Sequence, residues 1–228
     1  MSSHIAFEIQ IAYDNRCYKK EFLPGFGFSA LIHSQFTNNY LLFDTGGDGN
    51  ILLHNLQQLG VDISDINKVI ISHSHLDHAG GLSEIYQRNP NIAIYVPISD
   101  EDAFKGGYNR ASVYGMSNMK LIDENIYSSG QLNWSHLKEQ ALFLRTKDNE
   151  IIILVGCSHP GLENFILKAK EIADIRAIIG GFHGFRKFSY LEDIEVIAAC
   201  HCTQHMDLIQ KRFPEQFKKV CVGDKLVF

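Results

Sequence analysis

The sequence predicts an α/β protein in which strands and helices form separate layers, and three observations support this fold class. Short apolar or alternating runs, typical of strands, are followed by segments with apolar residues at helical spacing. Strands come first and then alternate with helices, an order that favours α/β layering over all-α or all-β folds. The chain has 228 residues, of which 45% are hydrophobic, enough for a sizeable core without disulfides.

Strands and helices can be assigned in order through the first hundred residues. Apolar and polar side chains alternate in residues 6–13, which predicts a strand with one solvent-exposed face. Residues 28–33 and 40–43 predict a pair of strands, and the second runs directly into Asp44. Leucines at helical spacing predict a helix over 50–59 that ends at Gly60. Two further strands are predicted at 68–71 and 92–96, with a helix over 82–88 between them.

A compact group of histidines and one carboxylate follows the strand at 68–71. The group consists of His73, His75, Asp77 and His78, and imidazole nitrogens and carboxylate oxygens are typical ligands of zinc, iron and manganese. A single isolated ion does not need four ligands from so short a loop. Because His73 and His75 can point one way while Asp77 and His78 turn another way, the spacing indicates two adjacent metals with a bridging water.

Residues 98–135 are the least regular part of the sequence and carry aromatic residues between glycines, serines and asparagines. A stretch of this length is often a functional loop. We therefore expect a single domain over 1–228 in which 98–135 form either a substrate lid with aromatic walls or a surface excursion with its own small core. Regular structure resumes with a predicted hairpin over 141–145 and 151–155, a helix over 161–172, and strands at 175–179, 194–200 and 219–222.

Three more histidines follow apolar segments, as expected for metal ligands at the carboxyl edge of a sheet. His159 stands just past the strand at 151–155, His183 follows the strand at 175–179, and His201 follows the strand at 194–200. Spacing alone does not decide between the last two. Small and polar neighbours would permit His201 to approach an ion closely, whereas His183 lies in an aromatic and flexible setting. We predict that His201 binds a metal and that His183 faces the substrate.

Composition and charge restrict the partners. The formal net charge is −5 and there is no basic run, which argues against binding of long nucleic acids. The apolar runs are far shorter than a membrane span. An odd number of cysteines, five in all, and no signal-peptide pattern at the start predict a cytoplasmic protein. The expected partner is a small-molecule substrate, and a homodimer is left open.

The motif His73-x-His75-x-Asp77-His78 resembles the metal signature of the metallo-β-lactamase superfamily, and the resemblance covers nearly the whole chain. Residues 43–46 are similar to the superfamily's first motif. Three later motifs resemble a narrower branch named after 7,8-dihydropterin-6-methyl-4-(β-D-ribofuranosyl)-aminobenzene-5′-phosphate synthase: residues 156–161 around Cys157 and His159, residues 180–183, and residues 201–203. The resemblance implies an αββα sandwich of two mixed β-sheets, with helices on the outer faces and ligands on loops along one edge.

The resemblance also implies a division of ligands between two divalent transition-metal ions, with zinc favoured and iron or manganese as alternatives. The first metal would be held by His73, His75 and His159, and the second by Asp77, His78 and His201. Asp44 would lie beneath the metals and steady a ligand or the bridging water.

The sequence departs from the superfamily pattern at two places. No Gly-His-Thr motif occurs between 79 and 150, so His159 is expected to replace the missing histidine. No Gly-Asp follows the strand at 151–155. Either Cys157 or only water would then replace the usual bridging carboxylate, with a core cysteine that touches no metal as the favoured role of Cys157.

The implied function is that of a metal-dependent hydrolase, or a related synthase or lyase, acting on a small anionic or phosphorylated substrate. Two cations would lower the pKa of a shared water and polarise an ester, lactone or phosphate oxygen. Asp77 could orient the resulting hydroxide or pass a proton to the leaving group, and His183 would act beside the substrate. Candidate residues for binding an anion are Lys105, Arg110, Lys120 and Arg186. The alternatives are a small-molecule phosphodiesterase or nuclease on the same fold and a non-catalytic sensor that holds a ligand through its metals.

Overall fold

The computed structural model describes residues 5–228, and His4, to which the sequence assigns no function, lies outside them. Within the described residues, one sheet has seven strands. These are β1 (Phe7–Tyr13), β2 (Ser29–Ser34), β3 (Tyr40–Phe43), β4 (Ile66–Ile70), β5 (Ala93–Pro97), β6 (Ser112–Met116) and β15 (Lys225–Val227). Their order in space is β15-β1-β2-β3-β4-β5-β6. The strands β3 to β6 run parallel to one another, and β1, β2 and β15 pair antiparallel.

The second sheet has six strands in the described part of the chain. These are β7 (Lys120–Asp123), β8 (Ile126–Ser128), β11 (Leu142–Arg145), β12 (Ile151–Val155), β13 (Ile175–Gly181) and β14 (Val196–Cys200). They lie in the order β14-β13-β12-β11-β8-β7, and β12, β13 and β14 are parallel. A small antiparallel hairpin is formed by β9 (Leu132–Trp134) and β10 (Leu137–Glu139).

Three apolar clusters hold the layers together. One lies between the sheets and joins residues such as Ile9 and Phe43 to Leu142 and Ile179. The other two cover the outer faces with helices: α1 (Gly49–Gln58) and α3 (Leu82–Arg88) pack on the first sheet, and α5 (Leu162–Ala169) and α6 (Met206–Arg212) pack on the second. Each fully buried aliphatic or phenyl side chain contributes about 1.5–3 kcal/mol. The predicted αββα sandwich of two mixed sheets is confirmed.

The structure corrects two of the sequence predictions on regular structure. No strand forms at 219–222, because the side chain of Asp224 accepts a hydrogen bond from Cys221 N and the backbone turns there. The closing strand is β15, which pairs with β1. Residues 98–135 are largely regular, since they contain α4 (Glu101–Gly107) and the strands β6 to β9. Three of these strands, β6, β7 and β8, belong to the two large sheets. The role of the segment as a lid or insertion stays a prediction.

No helix among residues 5–228 has the length and apolar character needed to cross a membrane.

Candidate metal centre

The predicted ligands lie on loops that follow strand ends at one edge of the two sheets. Asp44 follows β3, the histidine loop with the short helix α2 (Leu76–Ala79) follows β4, and His159 comes after β12. His183 and His201 come after β13 and β14. Because the carboxyl ends of these parallel strands meet along one edge, residues more than a hundred positions apart are brought together.

The first group of potential ligand atoms belongs to His73, His75 and His159. These atoms all lie within 4.8 Å of one another, and His73 Nε2 is 3.1 Å from His75 Nδ1. His73 is buried, His75 is exposed and His159 is intermediate. The set is therefore open to solvent on the side of His75, where a substrate could approach.

The second group consists of Asp77, His78, Cys157 and His201, again with all ligand atoms within 4.8 Å. His78 Nε2 lies 3.1 Å from Cys157 Sγ, and Asp77 Oδ2 lies 3.2 Å from His201 Nε2. Cys157 is buried, and its favoured role from the sequence, a core cysteine that touches no metal, stays a prediction. Its thiol points into the ligand group, because Gly156 and Cys157 occupy the turn directly after β12.

The two groups are adjacent. The ring centroids of His73 and His78, one from each group, are 4.2 Å apart. Burial, reinforced by the neighbouring histidines, lowers the pKa of both His73 and His78 to about 3. Both imidazoles are therefore neutral at physiological pH, the form in which histidine binds metals.

Asp44 connects the two groups from beneath. Its Oδ2 lies 2.7 Å from His78 Nδ1 and accepts a 2.7 Å hydrogen bond from Ser72 Oγ. Since the hydroxyl proton of Ser72 is donated to Asp44, its oxygen accepts the Nδ1 proton of His73 across 2.9 Å. In its ionised form, Asp44 thus fixes the tautomers of a histidine in each group and leaves both Nε2 lone pairs facing inward. Burial raises the pKa of Asp44 to about 8, and the electrostatic interaction with His73 and the Ser72 hydrogen bonds oppose that rise.

A second buried carboxylate, Glu139 at the end of β10, was not found from the sequence. Its Oε2 lies 2.9 Å from His159 Nδ1 and accepts from His159 N, and its Oε1 accepts from the backbone N–H groups of Cys157 and Ser158. Burial alone would raise the pKa of Glu139, but the hydrogen bond from His159 and the electrostatic interactions with His73 and His159 lower it to about 2. Glu139 therefore orients His159 and shapes the loop that carries Cys157.

His201 is positioned by the turn after β1. Its backbone N–H donates to Asp14 Oδ2, and its Nδ1 lies 2.9 Å from Asn15 Oδ1. Because the asparagine oxygen only accepts, Nδ1 carries the proton and Nε2 is a free lone pair. Among the residues that the structure describes, this buried Nε2 has no hydrogen-bond partner, although Asp77 Oδ2 is near. An inward-facing lone pair left without a donor is what a metal ligand requires.

The backbone is strained at this edge. Asp44, Ser158, His183 and His201 have φ angles of 59°, 56°, 42° and 47°, in the left-handed region that non-glycine residues seldom occupy. Such conformations persist where the surrounding structure enforces them, and they are concentrated at functional sites.

His183 stands beside the first group without belonging to it. Its ring centroid is 5.1 Å from that of His159, and no group of potential ligands among residues 5–228 includes it. Trp134 also stacks on His159, with ring centroids 5.6 Å apart and an interplanar angle of 26°. Of the four basic candidates, Arg186 lines the cavity next to His159, whereas Lys105 is paired with Glu101.

Comparison with known proteins agrees with this architecture. The family model described as the metallo-beta-lactamase superfamily matches residues 23–129, which include Asp44 and the whole histidine loop. The chain resembles this superfamily over the segment that carries Asp44 and the histidine loop.

Two solved structures of the superfamily's fold cover almost all of the chain. YhfI of Bacillus subtilis, a metallo-beta-lactamase fold protein, has a TM-score of 0.71 at 12% identity, with 98% of this chain and 100% of that chain aligned. The short form of human tRNase Z has a TM-score of 0.68 at 13% identity, with 96% and 98% covered. At these identities the likeness shows the fold alone.

A curated relative lies in the branch that the sequence motifs indicate. It is the 7,8-dihydropterin-6-methyl-4-(beta-D-ribofuranosyl)-aminobenzene-5′-phosphate synthase of Methanocaldococcus jannaschii, 25% identical, with 96% of this chain and 95% of the relative aligned. The resemblance to this branch therefore holds along the whole superfamily domain.

The position of Glu139 leads to a first prediction. Glu139→Gln keeps the size of the side chain but replaces an acceptor by an NH2 group that would face N–H donors. We expect a loss of about 2 kcal/mol in the free energy of unfolding, a melting temperature lower by roughly 4–8 °C, and metal affinity at the first group weakened about 10–100-fold. Calorimetry and metal titration measure these effects. The exposed Glu124 provides the control Glu124→Gln, and equal results for both variants would contradict the role of Glu139.

Proposed function

We propose that this protein is a hydrolase that uses two divalent transition-metal ions on a small anionic substrate. The observation that carries the proposal is the pair of adjacent ligand groups, three histidines in one and Asp77, His78, Cys157 and His201 in the other. Seven ligands exceed the four that a tetrahedral ion binds. Two neighbouring ions can together stabilise the attacking and the leaving oxygen of one reaction.

The residues fit such ions in number and in chemistry. Neutral histidines present their lone pairs inward, and the unpartnered Nε2 of His201 faces Asp77. Burial would raise the pKa of Asp77, but the close His201 and His78 imidazoles lower it below its usual range, so the carboxylate is ionised. The combination of imidazole, thiol and carboxylate favours zinc, and iron or manganese are the alternatives.

Cys157 would hold the second ion as a thiolate in place of the bridging carboxylate of superfamily members. Contact with Cys202 and burial raise the pKa of its thiol well above the ordinary value. An ion bound there must therefore displace a proton, and its affinity should rise with pH.

The ions would supply Lewis acidity and a water of lowered pKa. The residues of the chain would orient the ligands, the water and the substrate. Asp44 and Glu139 hold three histidines in the orientations that binding requires. Asp77 is partly exposed, and its carboxylate could orient a water or carry a proton to a leaving group. His183 and Trp134 flank His159 on the substrate side.

A substrate of small size and negative charge is supported by the cavity beside His159. Its volume is about 360 Å³, within the range of small-molecule sites, and Arg186 lies in its wall. The synthase relative is named for a phosphorylated compound, which is consistent with an anionic substrate for this chain.

Turnover of generic substrates tests the proposal. Metal-replete protein should hydrolyse at least one of an aryl phosphodiester, a lactone and a thioester, and activity should vanish with a chelator and return with zinc, manganese or iron. Turnover that survives removal of both metals would refute the proposal. Two bound metals without any turnover would favour the non-catalytic sensor.

A further inference from the structure

The cavity next to His159 has an aromatic side and a charged side. It lies between the β9–β10 hairpin, the loop after β12 and the loop after β13, with Trp134, His183, Arg186 and Lys187 in its walls. It adjoins the first ligand group but includes neither His73 nor His75. It can therefore receive the part of a substrate that does not react.

The aromatic side is formed by Trp134. One face of the indole stacks on His159, and yet 51% of the side chain is exposed. A tryptophan is normally withdrawn from water because of its large apolar area. Its open face is a surface on which a planar ring can stack, and contacts of this kind contribute about 1–3 kcal/mol per ring.

On the charged side, one of the two cations is available to bind an anion. Lys187 is paired with Glu163 at 2.8 Å, so these two neutralise each other. Arg186 has no carboxylate within ion-pair distance among residues 5–228; its Nε donates to His205 Nε2 at 2.8 Å, which fixes the direction of the guanidinium. The remaining N–H groups of Arg186 form a planar fork suited to an oxyanion.

We propose that this cavity is a binding subsite for a planar ring that carries a carboxylate or a phosphate. The ring would stack on Trp134 and the oxyanion would bind Arg186. The inference rests on the proposed function, since it places the non-reacting part of the substrate beside the metal centre, but it can be tested without turnover.

The single tryptophan of the chain makes the test direct, because all indole fluorescence comes from Trp134. Metal-loaded protein is titrated with benzoate, with phenylphosphonate, which cannot be hydrolysed, with neutral benzamide, and with cyclohexanecarboxylate, which has the charge but no planar ring. Both planar anions should change the fluorescence and bind more tightly than benzamide or cyclohexanecarboxylate. The ratio of the benzoate and phenylphosphonate affinities shows which oxyanion the subsite prefers.

Arg186→Gln should weaken the binding of the planar anions about tenfold, leave benzamide binding unchanged, and leave the metal content unchanged. Arg88→Gln, at an exposed arginine outside the cavity, should change none of them. Unchanged anion affinity in Arg186→Gln would show that the metals alone bind these anions and would overturn the inference. Equal weakening by both variants, or equal affinity of benzoate and cyclohexanecarboxylate, would overturn it too. Because only binding is scored, failure here is distinct from failure of the hydrolase assay.

Discussion

His75→Ala should reduce the bound metal from two ions per chain to one and lower turnover at least about a hundredfold. Replacing even a residue that only supports a metal ligand costs about 10–100-fold, and His75 is itself one of three histidines in its group. Since its side chain is exposed, the fold should survive the substitution. Elemental analysis and steady-state kinetics on the same preparation measure both effects.

His54→Ala is the matched control. His54 is partly exposed on α1, and its Nε2 contacts the backbone oxygen of Glu21 at 2.8 Å, away from both ligand groups. Metal content and turnover should be those of the unaltered protein. If the two histidine variants behaved alike, the first ligand group would be wrongly assigned.

Cys157→Ser should remove thiolate coordination from the second metal. Protein loaded with two cobalt(II) ions should absorb in the near ultraviolet through sulfur-to-cobalt charge transfer, and the variant should lose this band. A serine hydroxyl seldom ionises to become a ligand, so we also expect at least about tenfold weaker binding of the second ion, or ~1.4 kcal/mol. Absorption spectra recorded during cobalt titration give both quantities.

Cys202→Ser tests whether the charge-transfer band comes from a sulfur bound to the metal or only from a sulfur nearby. Cys202 lies next to Cys157, with its Sγ 3.9 Å from the Cys157 carbonyl oxygen, but it belongs to neither ligand group. Its replacement should preserve the band. A band that persists in Cys157→Ser and disappears in Cys202→Ser would assign the ligand to the other cysteine.

The sequence predicts most of the fold because its core strands are simple. Every residue of β12 is buried. Such continuous apolar runs can be recognised as strands from their own sequence, without knowledge of the strands that pair with them. The strands of 98–135 were missed because β6 and β7 lie at sheet edges, where exposed positions interrupt the apolar pattern. Their pairing partners, and not their composition, make them strands.

The loops of the candidate ligands could be predicted because several of these residues stand together in sequence or follow a strand end. Glu139 gives no such signal. It lies 20 residues before His159 in a polar hairpin, and only the pairing of β9 with β10 turns its carboxylate inward. The sequence does not decide the role of Cys157 for a related reason, since a buried core cysteine and a metal-binding cysteine look the same until the structure places His78 Nε2 3.1 Å from its Sγ.

The number of tightly bound ions tests the central claim most directly. Protein purified without chelator, saturated with zinc and freed of excess by dialysis should contain about two ions per chain by elemental analysis. His75→Ala and Cys157→Ser should each affect a different one of them. At most one tightly bound ion in the fully loaded protein would contradict the two-metal centre.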